Sequence, residues 1–144
     1  MLTSILIFVL SESMPSVTTI LSKTKDMTGL IAWKKRVGAV EAQRIVTESA
    51  NLGTIMHKHL ECYIGGVERP SGTNDVYVQA KQLSETIIDQ GLCNVSEVWG
   101  IETPLAFPGL YAGTADVICM HENEPAIGDF KTARKFKKKF KNFW

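Results

Sequence analysis

Apolar residues recur at intervals of three and four along the first two thirds of the chain, then at intervals of two, a change of period that predicts helices followed by strands. Leu30, Ile31 and Trp33, then Val37, Val40, Ala42, Ile45 and Val46 carry the helical spacing, with a break expected near Gly38. Ahead of them, "SVTTILSKTKDMTG" is β-branched and then polar, which predicts a short extended piece leading into a helix capped near Thr28. A further helix is expected from about Gly53 and Thr54 to the glycine stop at Gly65 and Gly66. After the turn-rich loop "GGVERPSGTND", another should run from about Asp75 to Gln90, with Gly91 as its terminator. Three stretches then read as strands, "VSEVWGIET", "LYAGTADVICM" and "PAIGDFK", separated by "PLAFPG" and "HENE". Connections that short make an antiparallel meander the simplest topology. The expected fold class is therefore α/β in the α+β sense: N-terminal helices followed by a three-stranded, mainly antiparallel sheet.

Length and composition fit one domain over residues 1–144, since 44% hydrophobic positions suffice for a single core. The net charge of +1 conceals an asymmetry. Residues 131–144 hold seven of the 16 Lys and Arg and none of the 15 Asp and Glu, which leaves the first 130 residues acidic. A basic tail on an acidic body suits either an anionic partner such as a nucleic-acid backbone or a solvated helix face. Cys62, Cys93 and Cys119 are odd in number and lack CxxC pairing, so they read as reduced structural thiols in a cytosol-like compartment. The apolar start "MLTSILIFVL" has no preceding basic residue and is too short to cross about 30 Å of hydrocarbon as a helix. Residues 1–14 are either a non-core extension or a buried strand or helix, and no membrane partner is expected.

A strand through Asp129 and Lys131 would put both side chains on one face, which suits a surface ion pair as well as a functional pair. Asp116 lies in the preceding strand, and a hairpin turning near "HENEP" would bring it beside Asp129. Two carboxylates near a lysine make sense for phosphodiester hydrolysis. Hard oxygen ligands bind Mg²⁺ or Mn²⁺, which acidifies a bound water and neutralises phosphate charge, while the lysine orients the water or stabilises developing negative charge. On the helix "GTIMHKHLECY", His57 and Glu61 are four residues apart on one face and would look toward the same centre. His59 lies about 160° round the helix from that side. Taken alone, His57 also reads as a helix-surface or satisfied core histidine, and His59 is the weaker candidate.

The ordered set "GTIMH", "WGIETPL", "YAGTADVI" and "GDFKT" resembles the RecB-like branch of the PD-(D/E)XK nuclease superfamily, in particular its mitochondrial genome maintenance exonuclease type and phage relatives. "PSVTTILS" and "WKKRVGAVEAQRI" extend the likeness over residues 15–144. The resemblance implies a restriction-endonuclease-like core and a metal-dependent DNA exonuclease using Mg²⁺ or Mn²⁺ on single-stranded DNA ends, in replication, repair or recombination. It places the motif histidine on His57, the first metal-binding acid on Asp116, the second on Asp129 and the catalytic lysine on Lys131. Glu102 matches an acid at the head of the first strand, either a metal ligand or a group that supports one. Lys135, Lys137, Lys138 and Lys139 would then contact the DNA backbone. Phe136, Phe140 and Phe143 form either a core-facing stripe or, with Trp144, a surface for stacking on bases. The helix that follows the catalytic lysine in such enzymes carries a glutamine and, a turn later, a tyrosine, and neither occurs after Lys131. The covering C-terminal helix is thus expected to be incomplete, and the alternative expectation is a catalytically inactive nucleic-acid-binding module. The expected location is the cytoplasm, including a host cytoplasm for a phage-encoded chain.

Overall fold

Ser16 opens the first helix as its N-cap. Its hydroxyl accepts the Thr19 N–H at 3.0 Å, and α1 (Val17–Thr24) follows. The computed structural model describes residues 14–132. Expectations for the apolar start and for Lys135, Lys137, Lys138, Lys139, Phe136, Phe140, Phe143 and Trp144 lie outside the described residues. The extended piece expected after Pro15 is instead this helix, apart from an isolated bridge between Ser16 and Ala112. Satisfying orphan N–H groups at a helix start outweighs the small helical penalty of β-branched Val17, Thr18 and Ile20.

The second helix, α2 (Thr28–Val37), begins where the sequence suggested, but Asp26 supplies the bond: its Oδ1 accepts the Thr28 N–H at 2.9 Å. Gly38 ends it at φ +87° and ψ 152°, a conformation that residues with a Cβ rarely adopt. The next helix, α3 (Ala39–Ile64), then runs unbroken, which corrects the boundary expected near Gly53 and Thr54. A glycine inside a helix costs about 1 kcal/mol relative to alanine. That is too little to interrupt a helix whose Leu52, Ile55 and Met56 are packed into the core on either side of Gly53. Gly65 closes α3 by donating its N–H to the Glu61 carbonyl at 2.9 Å. The last helix, α4 (Asp75–Gln90), starts at Asn74, whose Oδ1 accepts the Tyr77 N–H at 3.0 Å, and stops at Gly91 as expected.

Helices α3 and α4 carry the core. Met56 and Leu60 meet Ala80 and Ile88, and partly buried Leu52, Ile55, Ile87, Leu92 and Phe130 pack around them. Phe130 comes from the far end of the sheet, so it ties the strand layer to the helices. Among the described residues, no helix is long and apolar enough to cross a membrane.

The sheet has the predicted antiparallel meander, in the order β1 (Val95–Phe107), β2 (Tyr111–His121) and β3 (Glu124–Gly128). The protein is thus a mixed α+β fold. β1 is longer than expected because "PLAF" continues the ladder, with Phe107 pairing with Tyr111. Pro104 is tolerated since β1 is an edge strand, where a missing N–H interrupts no second neighbour. Glu122 and Asn123, at φ +50° and +66°, form the two-residue β2–β3 turn, both with the positive φ that a type I′ hairpin requires. β3 stops at Gly128, so Asp129 and Lys131 lie beyond the strand that had been expected to carry them. All three cysteines are free, with Cys62 and Cys119 buried and Cys93 exposed.

Candidate metal centre

Alternation along β2 buries Ala115, Val117 and Cys119 and turns Asp116 to the opposite face. There it meets α3, whose His57 Nδ1 stands 3.7 Å from Asp116 Oδ2. Glu102 arrives from β1. Its neighbours Ile101 and Thr103 pair with Val117 and Ala115, which sets Glu102 across the ladder from Asp116.

Two features of β1 make that placement. The register slips by a residue between Val95 and Glu97 and again between Val98 and Gly100, so the two bulges together leave the face of later residues unchanged and move Glu102 from opposite Thr114 to opposite Asp116. Glu102 itself has φ +46°, an uncommon conformation for a residue with a Cβ, of the kind that concentrates at functional sites. Gly100 accommodates the kink. A Cβ there would lie 2.3 Å from Thr103 Oγ1, closer than any contact atoms tolerate.

His57, Glu102 and Asp116 each offer one ligand atom, and these atoms all lie within 4.8 Å of one another. Ligands of a single Mg²⁺ or Ca²⁺, at 2.0 to 2.6 Å, are separated by at most about 4 to 5 Å. The residues present therefore form a cluster that could hold a metal ion, with one imidazole nitrogen and two carboxylates as the donor set. Asp116 is the most enclosed of them, its side chain 12% exposed against 30% for His57.

Phe130 organises the cluster through its backbone. Its N–H donates to Asp116 Oδ2 at 2.6 Å, and its carbonyl oxygen lies 2.7 Å from His57 Nε2. A carbonyl only accepts, so Nε2 must carry the ring proton, and the lone pair of the neutral imidazole is left on Nδ1, the atom nearest Asp116. Orientation of a ligating histidine by a hydrogen bond at its other nitrogen is the usual support for metal sites. The Phe130 ring packs edge-on against the imidazole, with centroids 6.0 Å apart, while its other contacts are to the α3–α4 core.

The structure thus gathers three of the residues singled out from the sequence and leaves two apart. Asp129 and Lys131 bond to each other at 2.8 Å, with side chains 58% and 74% exposed, and Asp129 is not in the cluster. Glu61, on the same helix face as His57, is taken by Lys58 at 2.8 Å, and this bond raises the Lys58 pKa above its ordinary value. Phe130 was missed as a site residue although it lies within "GDFKT". Its contribution is made by an N–H and a C=O that nearly every residue has, so no side-chain signal announces it.

His59 faces away from this cluster, and it is buried, 2% exposed. Burial lowers its pKa, helped by the positive charges of Arg69 and Lys81 and opposed by Glu85. The unfolded chain then binds more protons than the folded one at and below the ordinary value of 6.5. Stability from this group is full above that pH and is lost as pH falls through the lowered folded value. In EDTA, the melting temperature should fall on acidification through this window, and His59→Gln should flatten the slope. An identical slope in the variant would show that His59 is not the group responsible.

Comparison with protein-family models finds no match to this chain, and a search of curated proteins finds none either.

Proposed function

We propose that the protein is a metal-dependent nuclease that hydrolyses phosphodiester bonds in DNA, acting as an exonuclease on single-stranded ends. The observation that carries this reading is the convergence of His57, Glu102 and Asp116, from α3, β1 and β2, at positions that the resemblance to PD-(D/E)XK nucleases singles out. Oxygen-rich donor sets favour Mg²⁺ or Mn²⁺, and the imidazole makes Mn²⁺ the better fit of the two. A metal held there would acidify a bound water and neutralise charge on the scissile phosphate.

The chain's own residues supply the rest. Asp116 and Glu102 provide anionic oxygens, His57 presents Nδ1, and the Phe130 backbone fixes the orientation of both His57 and Asp116. Lys131 is the group available to stabilise developing negative charge or to position water. In the present arrangement it is held by Asp129, so substrate or metal must compete for one of the pair before Lys131 can act.

The test is cleavage of end-labelled single-stranded DNA with Mg²⁺, Mn²⁺ or EDTA, using the wild type, Lys131→Ala and Asp129→Ala. Cleavage that needs metal and drops by roughly 100-fold or more in Lys131→Ala is expected, as for loss of a group that stabilises transition-state charge. A folded chain that binds the DNA and leaves it intact with either metal would replace this reading with that of a binding module.

A further inference from the structure

We propose that the open pocket between α3, α4 and the loop joining them is a binding site for a phosphate group, separate from the metal centre. The pocket has a volume of about 670 Å³, and His59, Arg69, Ser71, Tyr77, Lys81 and Glu85 are among the residues that line it. This volume falls within the range of small-molecule sites, roughly 300 to 1,000 Å³. His59 is two residues from His57, about 200° round the helix, so the two histidines serve opposite faces of α3.

Arg69 spends its Nε–H on His59 Nδ1 at 3.4 Å, and its Nη2 on Ser84 Oγ at 2.9 Å and Glu85 Oε1 at 2.8 Å. A guanidinium has five N–H groups, and the two on Nη1 have no acceptor among the described residues. Because Nδ1 of His59 accepts, the proton of the neutral ring sits on Nε2, which has no partner among the described residues but is sealed from the pocket by burial, so the ring's part in the site is to hold Arg69. Lys81 makes no ion pair among the described residues and adds a second cation. Glu85, the one acid on the wall, is already engaged by Arg69. What remains for a ligand is the Nη1 pair of Arg69 and the ammonium of Lys81, unspent donors on two positive charges. A tetrahedral oxyanion, acceptor-only and anionic, complements that set.

The experiment is a titration of the whole chain with inorganic phosphate, followed by amide NMR in EDTA and a phosphate-free buffer. Saturable shifts at Ser71, Gly72, Lys81 and Gln82 are expected. Lys81→Ala should weaken the apparent affinity by roughly tenfold, the worth of one charge-assisted hydrogen bond. Lys81 is exposed, so the variant should keep a native spectrum, and Lys23→Ala on α1 should bind as the wild type does. A short single-stranded oligonucleotide without terminal phosphates is the second arm. Competition with inorganic phosphate would identify a backbone phosphodiester as the natural source, and saturable phosphate binding without competition would identify a free monoester. Shifts that never saturate, that gather instead at His57 and Asp116, or that are unchanged in Lys81→Ala would overturn the proposal. Because EDTA removes the metal, these outcomes are independent of whether the chain cleaves DNA.

Discussion

Asp116→Asn should weaken Mn²⁺ binding by more than roughly 100-fold, beyond the 10- to 100-fold that loss of a merely supporting contact costs at a metal site. The substitution is conservative for the fold. An amide oxygen can still accept the Phe130 N–H that the carboxylate now accepts at 2.6 Å, so the ladder end and the position of Phe130 should survive. What disappears is the negative charge on the most enclosed member of the cluster, next to His57 Nδ1. Glu102→Gln should weaken binding as well, while Asp129→Asn should have a smaller effect, because Asp129 stands outside the cluster and is exposed. Calorimetric or electron-spin-resonance titration with Mn²⁺ would separate the three. Equal Mn²⁺ affinity in Asp116→Asn and the wild type would mean that these residues are not a metal site. An Asp129→Asn loss as large as that of Asp116→Asn would mean that the bound form recruits Asp129 away from Lys131.

The second large effect concerns the support beneath that site. Leu60 is fully buried between α3 and α4, in contact with the cluster of Met56, Ala80 and Ile88. Leu60→Ala should cost about 2 to 5 kcal/mol, the transfer free energy of the lost methyl groups plus that of the cavity they leave. Against a typical total of about 5 to 15 kcal/mol, that loss would be severe for a chain of this size. Val40 is 87% exposed on the same helix, so Val40→Ala should change stability by less than about 0.5 kcal/mol. Urea denaturation should show the first as a lower midpoint at unchanged slope and the second as no shift. Since Phe130 packs on the same core and its backbone holds His57 and Asp116, Mn²⁺ affinity should fall along with stability in Leu60→Ala. A Leu60→Ala protein as stable as the wild type would mean that the α3–α4 contact is not what holds the fold.

Period and stops were legible in the sequence because each is settled by residues a few positions apart. Gly38, the Gly65–Gly66 pair and Gly91 bound helices as local rules require, and the Glu122–Asn123 turn sits where "HENE" suggested it. Local rules failed where an interaction with a distant element outweighed them. The Gly53 break was lost to packing of its neighbours on the core, and "PLAF" became strand because β2 offered it a ladder. At the start of α1 the winning interaction was local, a serine cap that outcompeted β-branched preference.

The candidate site divides along the same line. By itself the sequence determined which groups could do chemistry: His57 on a helix, and Glu102, Asp116, Asp129 and Lys131 in or next to three consecutive strands. Only the tertiary structure decided which of them meet. Two bulges carried Glu102 along the ladder to a position opposite Asp116, β3 ended before Asp129, and Asp129 turned to Lys131 rather than to Asp116. The backbone of Phe130, which orients His57 and Asp116, was invisible beforehand. Side-chain type is written residue by residue, whereas the register between strands and the direction of a peptide group are set by summed packing and hydrogen bonding across the whole domain.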